Sequence, residues 1–164
     1  MPLSEDISRD SQRPAPPSSI TAESMVAEHR ALHATVEALE TALRPALRPA
    51  ADDAAWRARL LCRLGDLQRQ LDGHFVAEEQ SGLYEDLAEA CPQHASAALR
   101  LRREHDDLRR RLDLLFGEAA AAPIGELRML AGRVHGLLRD LERHESRENA
   151  LLSNTLDDGI GVGD

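Results

Sequence analysis

Aromatic side chains are almost missing from this 164-residue chain, which has one Trp, one Tyr and two Phe, 2% of the sequence. Sheet proteins fill their pleated surfaces with aromatic and β-branched residues, so this composition argues against a β fold. Cysteine is scarce too. Cys62 and Cys91 follow no Cys-x-x-Cys spacing, and free thiols in a reducing compartment are the expectation. No apolar run approaches the length of a membrane span, and the N-terminus lacks the basic-then-apolar profile of a signal peptide. An excess of positive charge is also absent. The net charge of −9 repels phosphate backbones and anionic lipids, so neither nucleic acid nor membrane is an expected partner. The expected location is cytoplasmic.

Leu and Ala dominate what remains, and charged residues make up 30%. That is the composition of a helical bundle, in a chain long enough to bury one core without staples. Residues 1–19, with Pro2, Pro14, Pro16 and Pro17 among Ser, Asp and Arg, bury too little apolar surface to order, and read as a disordered leader. Thr21, or Ser19, caps a first helix over 21–43 with the stripe Met25, Leu32, Val36, Leu39, Leu43. Pro45 and Pro49 end it. Asp52 or Asp53 starts a second helix, 53–90, with Leu60, Leu64, Leu67, Leu71, His74 and Glu78 on its stripe, and Gly82 as a point of kinking or breakage. Cys91-Pro92 marks a reversal into a third helix, 92–116, carrying Ala98, Leu101, His105, Leu108, Leu112 and Leu115. Gly117 to Pro123 reads as a connection. A fourth helix, 124–156, carries Leu127, Leu130, Val134, Leu137, Leu141, His144, Glu148 and Leu151, before a Gly-rich tail over 157–164. The expected fold is all-α, an antiparallel up-down four-helix bundle over 20–156.

Six ionisable residues interrupt these apolar stripes. His74 and Glu78 stand four apart and leave one face of a helix, as do His144 and Glu148. The halves repeat. Glu28-His29 opens one and Glu104-His105 the other, each followed by a helix bearing His-x-x-x-Glu. Glu78 lies 13 residues before Cys91 and His105 lies 14 after it, so both sit ~20 Å from the turn, at one level. An unpaired buried carboxylate costs several kcal/mol and tends to neutralise itself. One such histidine alone reads as a hydrogen-bonded core residue. Four of them with two glutamates, on four core stripes, read as a metal site: His29, His74, Glu78, His105, His144 and Glu148. Imidazole and carboxylate without thiolate point to iron, with manganese as the alternative. Two histidines per metal, two shared glutamates and a shared oxide or hydroxide give five donors each. One position then stays open on each iron for oxygen, peroxide, nitric oxide or water.

His, His-x-x-x-Glu, His, His-x-x-x-Glu on four helices resembles the hemerythrin-like, or HHE cation-binding, domain family. The neighbouring text is similar too: Glu28-His29-Arg30, His74 to Glu79 with Leu83-Tyr84 after it, and His144-Glu145 leading to Glu148-Asn149. The resemblance covers about residues 22–156. It implies two non-haem irons with an oxo or hydroxo bridge. Glu78 and Glu148 would bridge them, His29 and His74 would cap one, and His105 and His144 the other. The oxygen-carrying hemerythrins use five histidines and an Asp bridge; this motif has four and two Glu. His33 is the candidate fifth ligand, although Glu37 and Glu40 on its stripe place it at the edge of the core.

Other residues carry weaker signals. Glu79 and Glu145 adjoin the ligands and read as further donors or as solvated charges. Tyr84, six past Glu78 and on another face of a continuous helix, reads as packing. His94 and His135 are expected at the surface. Arg109-Arg110-Arg111, balanced by Asp106, Asp107 and Asp113, reads as a solvated face. The leading functional expectation is a di-iron protein that binds or senses oxygen, or handles peroxide or nitric oxide. A di-iron enzyme decomposing peroxide or oxidising a small substrate is second, and a metal-free helical module binding a partner is third.

Overall fold

The leucine stripes bury as their spacing requires, because residues three and four apart share one face of a helix. The computed structural model of the chain describes residues 22–44, 53–90, 92–123 and 126–160. The leader over 1–19, the cap at Thr21, the prolines at 45 and 49, the reversal at Cys91 and the last four residues lie outside these. So do the side chains of Met25, Asp53 and Leu127.

All regular structure among the described residues is helical: α1 Ala22–Leu43, α2 Asp53–Ser81, α3 Leu83–Ala90, α4 Ala95–Ala121 and α5 Leu127–Ile160. A 3-10 turn over Pro92–His94 leads into α4. Helix α1 packs on α2, α2 on α4, α4 on α5, and α5 returns to α1, with α3 laid mainly against α4. No described helix is long and apolar enough to cross a membrane. The main core runs through Leu32, Leu39, Leu60, Leu64, Leu67, Leu71, Leu112, Val134, Leu137 and Leu141. Trp56 closes its end by donating its indole N–H to the carbonyl of Ala42 at 2.7 Å, which fixes the start of α2 against the end of α1. A smaller cluster of Tyr84, Leu87, Ala98, Leu101 and Leu151 fills the other end.

Three boundaries depart from the periodicity. The single helix expected over 53–90 is two, because Gly82 adopts φ 74°, a left-handed conformation that glycine takes without steric cost and that ends a helix. Ser81 completes the break: its hydroxyl donates to the Glu78 carbonyl at 2.7 Å and accepts the Leu83 N–H at 3.2 Å. Helix α4 runs through Gly117 to Ala121, since the alanines that follow are the best helix formers and Ala119 is fully buried. It ends where Ala122, at φ −61° and ψ 140°, takes the extended conformation that Pro123 imposes on the residue before it. Helix α5 continues to Ile160, past the expected end at 156.

Candidate metal centre

Between the two apolar clusters lies a polar layer, and it contains all six residues marked by the sequence. Helix α1 brings His29, α2 brings His74 and Glu78, α4 brings His105, and α5 brings His144 and Glu148. His74, Glu78, His105, His144 and Glu148 are each 2% exposed or less, whereas the His29 side chain is 19% exposed. The imidazoles pair across helices, His29 with His74 at 4.8 Å between ring centroids and His105 with His144 at 5.0 Å. Two sets of donor atoms converge: His29, His74, Glu78 and Glu148 in one, and Glu78, His105 and His144 in the other, with the atoms of each within 4.8 Å of one another. Glu78 belongs to both. Its Oε1 is 2.8 Å from His74 Nε2 and its Oε2 is 3.3 Å from His105 Nε2, the placement of a carboxylate that can span two ions.

Burial and mutual charge divide the two glutamates. Burial, then the Glu78 charge, pushes the Glu148 carboxyl up to about 8. Glu78 is also pushed up by burial, but His74 and then His105 outweigh this and hold it below the usual carboxylate range. Burial lowers His105 to about 4 and also lowers His144 and His29, so at neutral pH each ring is uncharged, with one nitrogen lone pair free for a cation and one N–H. His74 is the exception. Burial disfavours its cation, yet Glu78, then Glu148 and Glu145, raise it above its ordinary value.

Several of these atoms have no hydrogen-bond partner: His29 Nε2, His74 Nδ1 and Nε2, Glu78 Oε1, His144 Nε2 and Glu148 Oε2. His74 Nε2 and Glu78 Oε1 lie 2.8 Å apart without the alignment of a hydrogen bond, so proximity alone does not satisfy them. Buried polar atoms are nearly always paired, so unpartnered atoms grouped in this way mark a place for an occupant. A cation that accepts imidazole and carboxylate lone pairs fits these atoms; an apolar ligand does not.

Sequence reasoning missed Tyr84. The residue is fully buried, and its hydroxyl lies 3.2 Å from Glu78 Oε2, 3.0 Å from Glu148 Oε1 and 3.1 Å from His105 Nε2. On an unbroken helix it would face elsewhere; the break at Gly82 resets the helical phase and turns it into the layer. Burial, then the charges of Glu148 and Glu78, raises its pKa, so it remains a phenol with one proton to share among three acceptors. Ser81-Gly82 was the signal available in the sequence.

Two carboxylates stand behind the imidazoles. Glu79 Oε1 accepts from His105 Nδ1 and from Arg109 Nη1, each at 2.9 Å. Glu104 Oε2 is 3.1 Å from His144 Nδ1, and both its oxygens take the fork of Arg147, at 2.9 and 2.8 Å. Arg109 is therefore not part of a solvated face: it is 22% exposed and its guanidinium carbon lies 5.1 Å from the Phe75 ring centroid. Phe75 in turn stacks on His105 at 3.8 Å and 5°.

His33 remains at the edge, its side chain 65% exposed and its Nε2 3.3 Å from Glu145 Oε2. Glu145 is buried, 7% exposed, and burial raises its carboxyl; it is not a solvated charge. His94 and His135, expected at the surface, are half-buried. Cys62 is an exposed free thiol.

No curated protein and no solved structure matches the chain. The model of the hemerythrin HHE cation-binding domain matches residues 20–156, a span that holds every residue of the polar layer. With that match over most of its length, the chain belongs to the hemerythrin HHE cation-binding domain family.

Proposed function

We propose that this chain is a non-haem di-iron protein of the cytoplasm, an antiparallel up-down bundle of its four long helices that binds or senses oxygen, peroxide or nitric oxide. The observation that carries the reading is the set of buried lone pairs on His29, His74, His144, Glu78 and Glu148 without hydrogen-bond partners, contributed by three helices and facing one another. His29 and His74 would hold one ion and His105 and His144 the other, with Glu78 and Glu148 shared between them. Manganese suits the same donors. Bound iron supplies electron transfer and an open coordination position for a diatomic or similarly small ligand. The chain contributes the rest. The leucines on either side exclude bulk water, Glu79 and Glu104 hold the outer nitrogens of His105 and His144, and Tyr84 keeps a proton among the two carboxylates and His105. Metal counting after iron-replete expression tests this: two irons per chain are expected, and a single zinc or no metal sinks it.

One observation favours a second reading, the turnover of peroxide or of a small substrate. A phenol within hydrogen-bond reach of three of these residues is a hydrogen-bond donor inside the layer, placed to orient a small substrate. Peroxide consumption that falls in Tyr84→Phe with iron content unchanged would select this reading over simple binding.

A further inference from the structure

The two halves of the chain repeat the six inner residues but not what stands behind them. Superimposing Glu28-His29 on Glu104-His105, and His74 to Glu78 on His144 to Glu148, pairs every other residue of the layer with a counterpart. Glu28 and Glu104 are equivalent, and each faces the Nδ1 of the next histidine. The Glu104 contact is closed at 3.1 Å; the Glu28 contact is open at 3.9 Å, and His74 Nδ1 has no hydrogen-bond partner. Arg147, which forks onto Glu104, has Ala77 as its counterpart. Glu79, which holds His105, has Asn149. Arg109, which anchors Glu79, has the exposed His33. The C-terminal pair of imidazoles is thus clamped twice by a carboxylate with an arginine behind it. In the N-terminal pair the His74 Nδ1 stays 3.9 Å from its carboxylate, and no arginine stands at the equivalent positions.

A hydrogen bond from Nδ1–H to a carboxylate fixes the tautomer, leaves the Nε2 lone pair free, raises its basicity and orients the ring, and losing such a partner typically weakens metal binding 10–100-fold. His105 and His144 have this support; His74 must freeze its ring and tautomer when an ion arrives. His29 is also the most exposed of the six inner residues. The competitor at the clamped position is the Tyr84 hydroxyl on His105 Nε2, one neutral hydrogen bond, worth about tenfold at most.

We propose that the two metal positions are unequal: the one framed by His105 and His144 fills first and is retained, and the one framed by His29 and His74 exchanges with the solution. The protein would then pass between one-metal and two-metal forms as the divalent cation concentration changes. This rests on the dinuclear reading above and assigns each position its own affinity.

Titration of the metal-free full chain with cobalt(II), followed by visible absorption and proton NMR, tests the assignment. Two steps at least tenfold apart are expected. The first equivalent should bring hyperfine-shifted, slowly exchanging ring N–H signals from His105 and His144, protected by Glu79 and Glu104. Arg147→Ala, at an exposed site, should weaken the first step about 10–100-fold with the helical circular dichroism unchanged, while Arg147→Lys restores part of it. Ala77→Arg should tighten the second step by placing an arginine where the other half has Arg147. His29→Ala should abolish the second step only. Two ions bound in a single step, or a first ion that reports on His29 and His74, would overturn the inequality and leave the dinuclear reading standing. Failure of any second ion to bind to the unmodified chain would overturn both.

Discussion

Replacing Glu148 by Gln should affect the metal-free and metal-loaded proteins in opposite directions. Glu148 is 1% exposed and its carboxyl is raised from 4.5 to about 8 by burial and by Glu78. A carboxyl whose pKa is higher in the folded than in the unfolded chain binds more protons when folded, so stability falls as pH rises between the two values. At ~1.4 kcal/mol per pH unit, the charged side chain opposes folding by on the order of 4 kcal/mol at pH 8 and above. His74, also raised, adds to the loss in the same direction. His105, lowered to about 4, acts oppositely, removing stability as pH falls from 6.5 toward 4, so the metal-free protein should be most stable on the acid side of neutrality. Glutamine keeps the shape of Glu148 and removes the charge, though its buried amide still needs a partner; about half the penalty, ~2 kcal/mol, should be recovered. For a domain of this size that is roughly 5–10 °C in melting temperature. The assay is thermal unfolding of chelator-treated protein, followed by helical circular dichroism from pH 5 to 9. At pH 5, where Glu148 is already neutral, the variant should be the less stable because of its unmet amide; the order should cross as pH rises, and above pH 7 the variant should be the more stable. In the metal-loaded form the order should reverse, because an amide is a poorer donor to the cation than a carboxylate. A melting temperature for the metal-free wild type that stays level from pH 6.5 to 8.5, or a Gln variant less stable at pH 8, would refute the reasoning.

Three further outcomes follow from the same geometry. Tyr84→Phe removes the hydroxyl shared by Glu78, Glu148 and His105, and urea denaturation of the metal-free variant should show a loss of about 1–3 kcal/mol. Gly82→Ala meets no neighbouring atom, so its cost is the backbone strain at φ 74°, about 1–2 kcal/mol; retained stability with Tyr84 quenching altered would mean instead that the two helices had fused. His33→Ala should leave the metal content at two, because its imidazole is mostly exposed and faces Glu145 rather than the inner nitrogens; loss of one ion would show His33 to be a ligand.

The leucine stripes and the six inner residues were legible because a single rule, the 3.6-residue period, governs both. Leu60, Leu64, Leu67, Leu71, His74 and Glu78 are all buried, as their spacing on α2 requires. That rule holds only while a helix is unbroken, and so Tyr84 was placed on the wrong face: a change of φ at Gly82 rotates everything after it. Glu79 with Arg109 and Glu104 with Arg147 were hidden for a different reason. Each pair acts across helices, between residues about 30 to 40 apart, and a charge on one helix looks the same in sequence whether it faces water or a neighbouring imidazole. The end of α4 was misplaced because Gly117 was given more weight than the alanines after it.

The polar layer also partitions the molecule. It lies between the long leucine core and the small cluster of Tyr84, Leu87, Ala98, Leu101 and Leu151, so the far end is joined to the rest through charged residues rather than through continuous hydrocarbon. Without metal those residues repel as much as they attract, and the far end should open as a unit of its own, below the free energy of global unfolding. Amide hydrogen exchange would then be fast in α3, in the first turns of α4 and around Leu151, and slow along Leu60–Leu71 and Leu130–Leu141. Cations held by residues from both halves would merge the two opening units into one, so that occupancy of the centre is read out as protection of amides that never touch the metal.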